Sequence, residues 1–464
     1  MLPARSRSRL FRIAHAVLLA GLAWFYLHAA TVHASHVNTI KSRGDQTGYL
    51  VDAERVYANW HGQSPPFLIG ERMRMPVYAG VLALAYSPAI SDDAFFLLAK
   101  RLNIVLSLGL LVVIGVLFHR FLPPHAALNL TLVVAFGYFV FKAGYAQPEL
   151  LFYTLFFVTF LLACLLLEER EQRRRLALAF GAGLLAGVTH LTKAVMPPFL
   201  GVYGAVYTLQ EAWLGRTDMA ARTWEAGRRL SRVAARLLPL AVLLAAFGVV
   251  VGPYVATSKR VFGSYFFNAN TTYYIWYDTG AQARALLLPH TDANGVIDIP
   301  ADLLPSMSTY LRTRRPAQIL QRFTDGAWDM VERSYRTYWY FPYLLLYLGA
   351  SAWVLAADGE ARRALLTRHW ALLLCLVLYA AVFLVSTAFF STISGTGTSR
   401  FLIAHLTPLF FALAWFLARL PIRTWSVGRA QIGVWHFQAL VSALLTWDLL
   451  FTIWPRLMTT YGGF

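Results

Sequence analysis

Cysteine is nearly missing from this chain. Its 464 residues hold two, Cys164 and Cys375, each inside an apolar block. No CxxC spacing occurs, so a Cys/His metal cluster is excluded and each thiol reads as a small core residue. Acids are also few: 23 Asp and Glu stand against 41 Lys and Arg, a formal charge of +18. Such an excess could serve nucleic acid, but no nucleic-acid-binding motif accompanies it. No helix pattern recurs along the chain, which argues against an inverted-repeat transporter.

What the chain has is apolar sequence. Hydrophobic residues make up 58% and aromatics 15%, with a mean hydropathy of +0.52. Soluble domains are about 45–50% apolar. Here the apolar residues come in blocks, and aromatics suit a chain that meets two lipid–water interfaces. The expectation is an all-α polytopic membrane protein forming one unit over 1–464. A span needs roughly 17–25 residues to cross a hydrocarbon core of about 30 Å. Eleven blocks qualify, near 11–31, 94–118, 126–143, 150–167, 176–192, 196–210, 237–257, 339–357, 369–389, 401–418 and 434–454. The first, "FRIAHAVLLAGLAWFYLHAAT", is long for a signal peptide and reads as an uncleaved helix.

Orientation follows from arginine. Half of the Lys and Arg fall in short loops such as "EEREQRRR" (168–175) if the N-terminus is cytoplasmic and 75–90, "MPVYAGVLALAYSPAI", lies in the interface instead of crossing. Basic residues in short inner loops are the usual bias, and anionic lipid attracts them. That register puts Arg173 inside, Thr271 outside and the C-terminus outside. It leaves two long outer segments, 32–93 and 258–338, which suit a membrane enzyme with an outward-facing site.

Ionisable groups at membrane depth are costly, and they usually face a cavity and a partner. Five outer places carry them. Asp45 stands in "RGDQTGYL" with Arg43 beside it, and Arg72 and Arg74 stand in "RMRMP". Glu149 stands in "GYAQPELLFY", Lys193 in "THLTKAVMPP" and Arg400 in "GTGTSRFLIAH". Two acids and several cations at one level suggest an anion site with a proton acceptor, and a phosphate-linked substrate fits: cations neutralise the departing phosphate while a carboxylate takes a proton. Each residue alone has an ordinary explanation. Asp45 suits a solvated loop, and Glu149 suits a helix N-terminus after Pro148. Lys193 and Arg400 could snorkel to the interface. "RTRRP" (312–316) reads as a lipid-headgroup patch and His190 as a hydrogen-bonded polar residue.

Taken in order, these pieces resemble the polyprenol-phosphate-dependent glycosyltransferases of the GT-C superfamily, in particular the protein O-mannosyltransferase-like and aminoarabinose-transferase-like families. The resemblance covers most of the chain and is strongest over 40–200. "GDQTGYL" matches the first-loop Asp with its nearby Tyr, and "RMRMPVYAGVLALAYSP" the basic residue and Pro before an interfacial helix. "LLAKRLNIVLSLGLLVV", "QPELLFYTLFF", "LTKAVMPP" and "SRFLIAHLTPLFFAL" match later elements. Several relatives carry Asp-Glu in the first loop with a basic residue shortly after. This chain has Asp45-Gln46 and Gly48.

The resemblance implies a GT-C-like bundle in a bacterial cytoplasmic membrane, with the active site facing the periplasm. It implies an inverting transfer from a polyprenyl-phosphate sugar to a lipid, glycan or protein acceptor, with Asp45 as general base and Glu149 orienting the acceptor or sharing that role. Arg72, Arg74, Lys193 and Arg400 would bind the donor phosphate, and Tyr49 and Arg43 would position substrate. Neither a cofactor nor a metal is implied, and membrane lipid is the other partner. A lipid-linked-precursor flippase is the alternative, with charges lining a path through the bilayer.

Overall fold

The computed structural model describes residues 4–63, 74–220, 229–291, 297–300, 303–394, 398–419, 424–427 and 430–459. It is an all-α polytopic membrane fold with one small hairpin, strands Thr424–Val427 and Ala430–Gly433. Among the described residues nine helices are long and apolar enough to cross a membrane. A tenth span results if the pair Pro316–Arg336 and Phe341–Ala357, bent by 107°, counts as one. Eleven were expected. The block at 339–357 is half of that bent pair. The block at 196–210 lies in a helix that is less apolar than a span requires, and the polar residues of that helix are used internally: Tyr207 and Glu211 both bind Arg175.

The chain opens with α1 (Ala4–His36), α2 (Gln46–Trp60), α3 (Pro76–Ala83) and α4 (Asp92–Phe121). Helix α3 has eight residues, about 12 Å at 1.5 Å per residue, too short to cross. It packs on α2 instead. Tyr49, Leu50, Ala53 and Val56 form the apolar stripe of α2, and they meet Tyr78, Ala79 and Leu82 of α3 and Phe95 and Ala99 of α4. The spacing i, i+1, i+4, i+7 is one helical face.

Next come α5 (Pro124–Val134), a π-helical turn at Ala135–Phe139, and α6 (Val140–Ala143). The turn leaves the Gly137 carbonyl to accept the Trp339 N–H at 3.0 Å. Helices α7 (Glu149–Glu168), α8 (Gln172–Thr192), α9 (Met196–Ala220) and α10 (Arg229–Phe262) follow. Small residues set how closely α8 and α10 approach. A Cβ on Gly183 would lie 2.3 Å from the Leu243 carbonyl oxygen, and one on Gly187 would lie 2.5 Å from Val250. This is the small-xxx-small packing of membrane helices, on the helix that ends at Lys193.

The segment after α10 folds into α11 (Ala269–Thr272), α12 (Gly280–Leu287), α13 (Met307–Thr313) and α14 (Pro316–Thr337). Then come α15 (Phe341–Ala357), α16 (Gly359–Arg368), α17 (Trp370–Ser394) and α18 (Thr398–Arg419), with α19 (Val434–Phe451) and α20 (Ile453–Thr459) after the hairpin. Helix α12 lies directly against the end of α17, since a Cβ on Gly280 would be 2.3 Å from the Ile393 carbonyl oxygen.

Candidate active site

Four charged side chains from four elements form an alternating row. Asp45 stands at the N-cap position of α2, and its Oδ2 accepts from Arg400 Nη1 at 2.6 Å. Arg400 lies in the first turn of α18, and its Nη1 is 3.6 Å from Glu149 Oε1. Glu149 opens α7 and accepts from Lys193 Nζ at 2.9 Å. Lys193 ends α8, with its ammonium 4.5 Å from the centre of the Phe401 ring. The Arg400 carbonyl accepts from the Tyr153 hydroxyl at 2.7 Å, which ties α18 to α7. The Arg400 guanidinium beside Asp45 holds its carboxyl below the usual carboxylate range, against the opposing effect of burial.

The first loop is held by an amide. Gln46 is fully buried. Its Nε2 donates to Asn38 Oδ1 and to the Arg43 carbonyl, and its Oε1 accepts from Asn38 Nδ2 and the Ala146 N–H. A carboxylate could not donate the first two bonds. Asn38 also donates to the Gly144 carbonyl. Asp45 is therefore fixed by its neighbour to the turn that leads into Glu149.

One cavity of about 590 Å³ adjoins this row. Asp45, Tyr49, Arg74, Lys193 and Arg400 line its charged end. Asn270, Thr271 and Arg284 line it from the segment after α10, so that segment and the first loop share one end of the bundle. Tyr379, Val382, Phe383, Phe390 and Ile393 of α17 give it a largely apolar wall, broken by Ser386 and Thr387. Burial pushes the Tyr49 hydroxyl well above its usual range, so it stays a neutral donor.

The expected residues divide as follows. Asp45, Tyr49, Arg74, Lys193 and Arg400 line the cavity. Glu149 is 1% exposed and sits behind Lys193 and Arg400. It is not among the lining residues, and it contacts the cations. Arg43 is exposed and likewise absent from the cavity lining. Arg72 lies outside the described residues.

Asp52 is 2% exposed and accepts from Arg74 Nε at 2.7 Å, with Arg55 3.8 Å away. The Arg74 guanidinium lies over Gly48, where a Cβ would come within 2.4 Å of it. His190 departs from expectation: it is buried among Phe247, Tyr254 and Phe266, and neither ring nitrogen has a hydrogen-bond partner among the described residues. Its position on α8 points it at the aromatic face of α10. In "RTRRP", Arg314 is taken by Asp278 at 3.2 Å and the Arg315 backbone N–H, at the N-cap position of α14, donates to Gln318 Oε1 at 2.9 Å, so the stretch is in part structural. Lys142, buried on α6 within electrostatic reach of Glu149, escaped the sequence reading although it stands seven residues before that acid. Asn270, Thr271 and Arg284 escaped it too, because polar residues in a long polar segment raise no signal.

No family model matches this chain, and no curated protein does. Among solved structures, the archaeal oligosaccharyltransferase AglB from Archaeoglobus fulgidus, in complex with an inhibitory peptide and a dolichol-phosphate, aligns with 94% of this chain at 12% identity and a TM-score of 0.45. The chain spans 55% of the length of that protein.

Proposed function

We propose that this protein is an integral-membrane glycosyltransferase that takes a sugar from a polyprenyl-phosphate donor and places it on an acceptor at the outer face of a bacterial cytoplasmic membrane. The observation that carries the reading is the cavity's two-part lining. Its charged end gathers Asp45, Lys193 and Arg400, while its apolar wall follows α17 from Tyr379 to Ile393. That stretch of a candidate span covers about 21 Å at 1.5 Å per residue, two-thirds of a hydrocarbon core of about 30 Å. An isoprenoid chain fits against such a wall with its phosphate at the charged end.

The chemistry follows from the residues. The acceptor hydroxyl oxygen attacks the anomeric carbon as the carbon–oxygen bond to the phosphate breaks. The phosphate leaves with the electron pair, and Lys193 and Arg400 stabilise its charge. Asp45 takes the hydroxyl proton, and attack opposite the leaving group inverts the anomeric centre. Glu149 acts as a positioning residue: it holds both cations where the phosphate arrives. Asn270, Thr271 and Arg284 are placed to meet the sugar or the acceptor. Asp45, Arg400, Glu149 and Lys193 form one contiguous row, which favours this reading over a flippase that needs charges along a path.

A prenyl phosphate with a photoreactive group on its tail tests the placement. Cross-links are expected between 379 and 393 and should be lost on competition with unlabelled prenyl phosphate. Labelling confined to other helices, or labelling that competitor does not reduce, would contradict the reading.

A further inference from the structure

Arg400 lies between two anions. Its Nη1 donates to Asp45 Oδ2 at 2.6 Å and lies 3.6 Å from Glu149 Oε1. Glu149 already holds Lys193 at 2.9 Å. Arg400 Nε is buried and makes no hydrogen bond among the described residues. A guanidinium has five N–H donors, so this one has donors left to give. Both Asp45 and Arg400 line the cavity, and the Asp45 side chain is 42% exposed. Within the row two cations, Lys193 and Arg400, face two carboxylates, Glu149 and Asp45, with Lys142 in electrostatic reach of Glu149. A phosphate reaching this end competes with these carboxylates for Lys193 and Arg400.

We propose that Arg400 is shared in turn between Asp45 and the substrate's phosphate, so that phosphate binding draws the guanidinium away from Asp45 and releases the carboxylate to take the acceptor's proton. The inference rests on the proposed donor class. Of the two acids, Asp45 is the one that gives way. Glu149 is buried behind two cations, whereas Asp45 has one strong contact and opens to the cavity. Proton uptake by Asp45 during the transfer offsets the second negative charge that the phosphate gains as it leaves. The base is therefore weakest before the donor arrives, and the donor binds before the acceptor is activated.

Two anions that share one cation weaken each other's binding. The full chain in lipid nanodiscs and farnesyl phosphate as probe test this in a double-mutant cycle, with affinity read by calorimetry. Asp45→Asn should tighten farnesyl phosphate by about tenfold, within the range of about 5–150-fold usual for coupled sites. Arg400→Gln should weaken it, and adding Asp45→Asn to Arg400→Gln should then tighten it little. Equal tightening in both backgrounds would overturn the proposal, since the phosphate would then be received by Lys193, Arg74 or Arg284. Failure of Asp45→Asn to tighten binding in the wild-type background would overturn it alone, so the test stands even if Arg400→Gln does not fold. If none of the four proteins binds farnesyl phosphate, the phosphate-donor reading fails and this inference with it.

Discussion

Glu149→Gln removes the buried carboxylate that faces Lys193 and Arg400. The distances give the scale: Lys193 is 2.9 Å and Arg400 3.6 Å from Glu149 Oε1. At an effective dielectric near 20 these are gross attractions of about 6 and about 5 kcal/mol. Most of that is offset by the desolvation of all three groups, so the useful figure is the cost of leaving buried charge uncompensated, about 3–5 kcal/mol. Both sides are well enclosed, at 2% exposure for the Glu149 side chain and 12% for Lys193. The isosteric amide keeps the shape, so packing should be unaffected. Cys164 and Cys375 are free, and both are at least half enclosed in the bundle, so a thiol-reactive fluorogenic dye reports unfolding without an added label. The unfolding midpoint of Glu149→Gln should fall clearly below that of the wild type. Lys193→Met added to it should recover part of the loss, because one stranded cation is then removed. A Glu149→Gln protein as stable as the wild type, or a double variant worse than the single one by the full cost of a second independent site, would refute the reasoning.

Three further outcomes are expected. Gln46→Glu places a carboxylate where Asn38 Oδ1 and the Arg43 carbonyl need a donor; it should cost about 3 kcal/mol or more, read with the same dye, and a neutral result would remove the account of the first loop. Asp45 has its carboxyl lowered from 3.8 by Arg400, so the stability it adds is complete above the unfolded value of about 3.9 and is lost as pH falls below it; the stability difference between wild type and Asp45→Asn should be flat from pH 5 to 7 and shrink only under more acid conditions. Single cysteines at Arg173 and Thr271 should be labelled from opposite sides of the membrane, and labelling from one side would reverse the topology.

Most of the fold was legible because a hydrocarbon solvent demands apolar runs of fixed length. The failures have the same origin. The helix that carries 196–210 spends Tyr207 and Glu211 on Arg175, and hydropathy cannot see a partner that neutralises a polar residue. Asp45, Lys193 and Arg400 stood out because charge beside an apolar run needs a reason. Which charge meets which did not, since Arg400 and Asp45 are 355 residues apart and only the packing of α18 beside α7 brings them together. Asp52 and Arg74, 22 residues apart, join only where α2 meets the start of α3. Gly48 carries no side chain to read, yet it makes the space that the Arg74 guanidinium fills.

The central claim is that Asp45 takes the proton, and one measurement bears on it most directly: the rate of sugar transfer from a radiolabelled polyprenyl-phosphate donor to membrane acceptor, compared between wild type and Asp45→Asn. General-base assistance is worth about 10²–10⁴-fold, so the rate should fall by that order in a variant that still folds and still binds prenyl phosphate. Asp52→Asn, which loosens Arg74 without touching the base, should cost far less. An Asp45→Asn protein that transfers sugar at close to the wild-type rate would contradict the account.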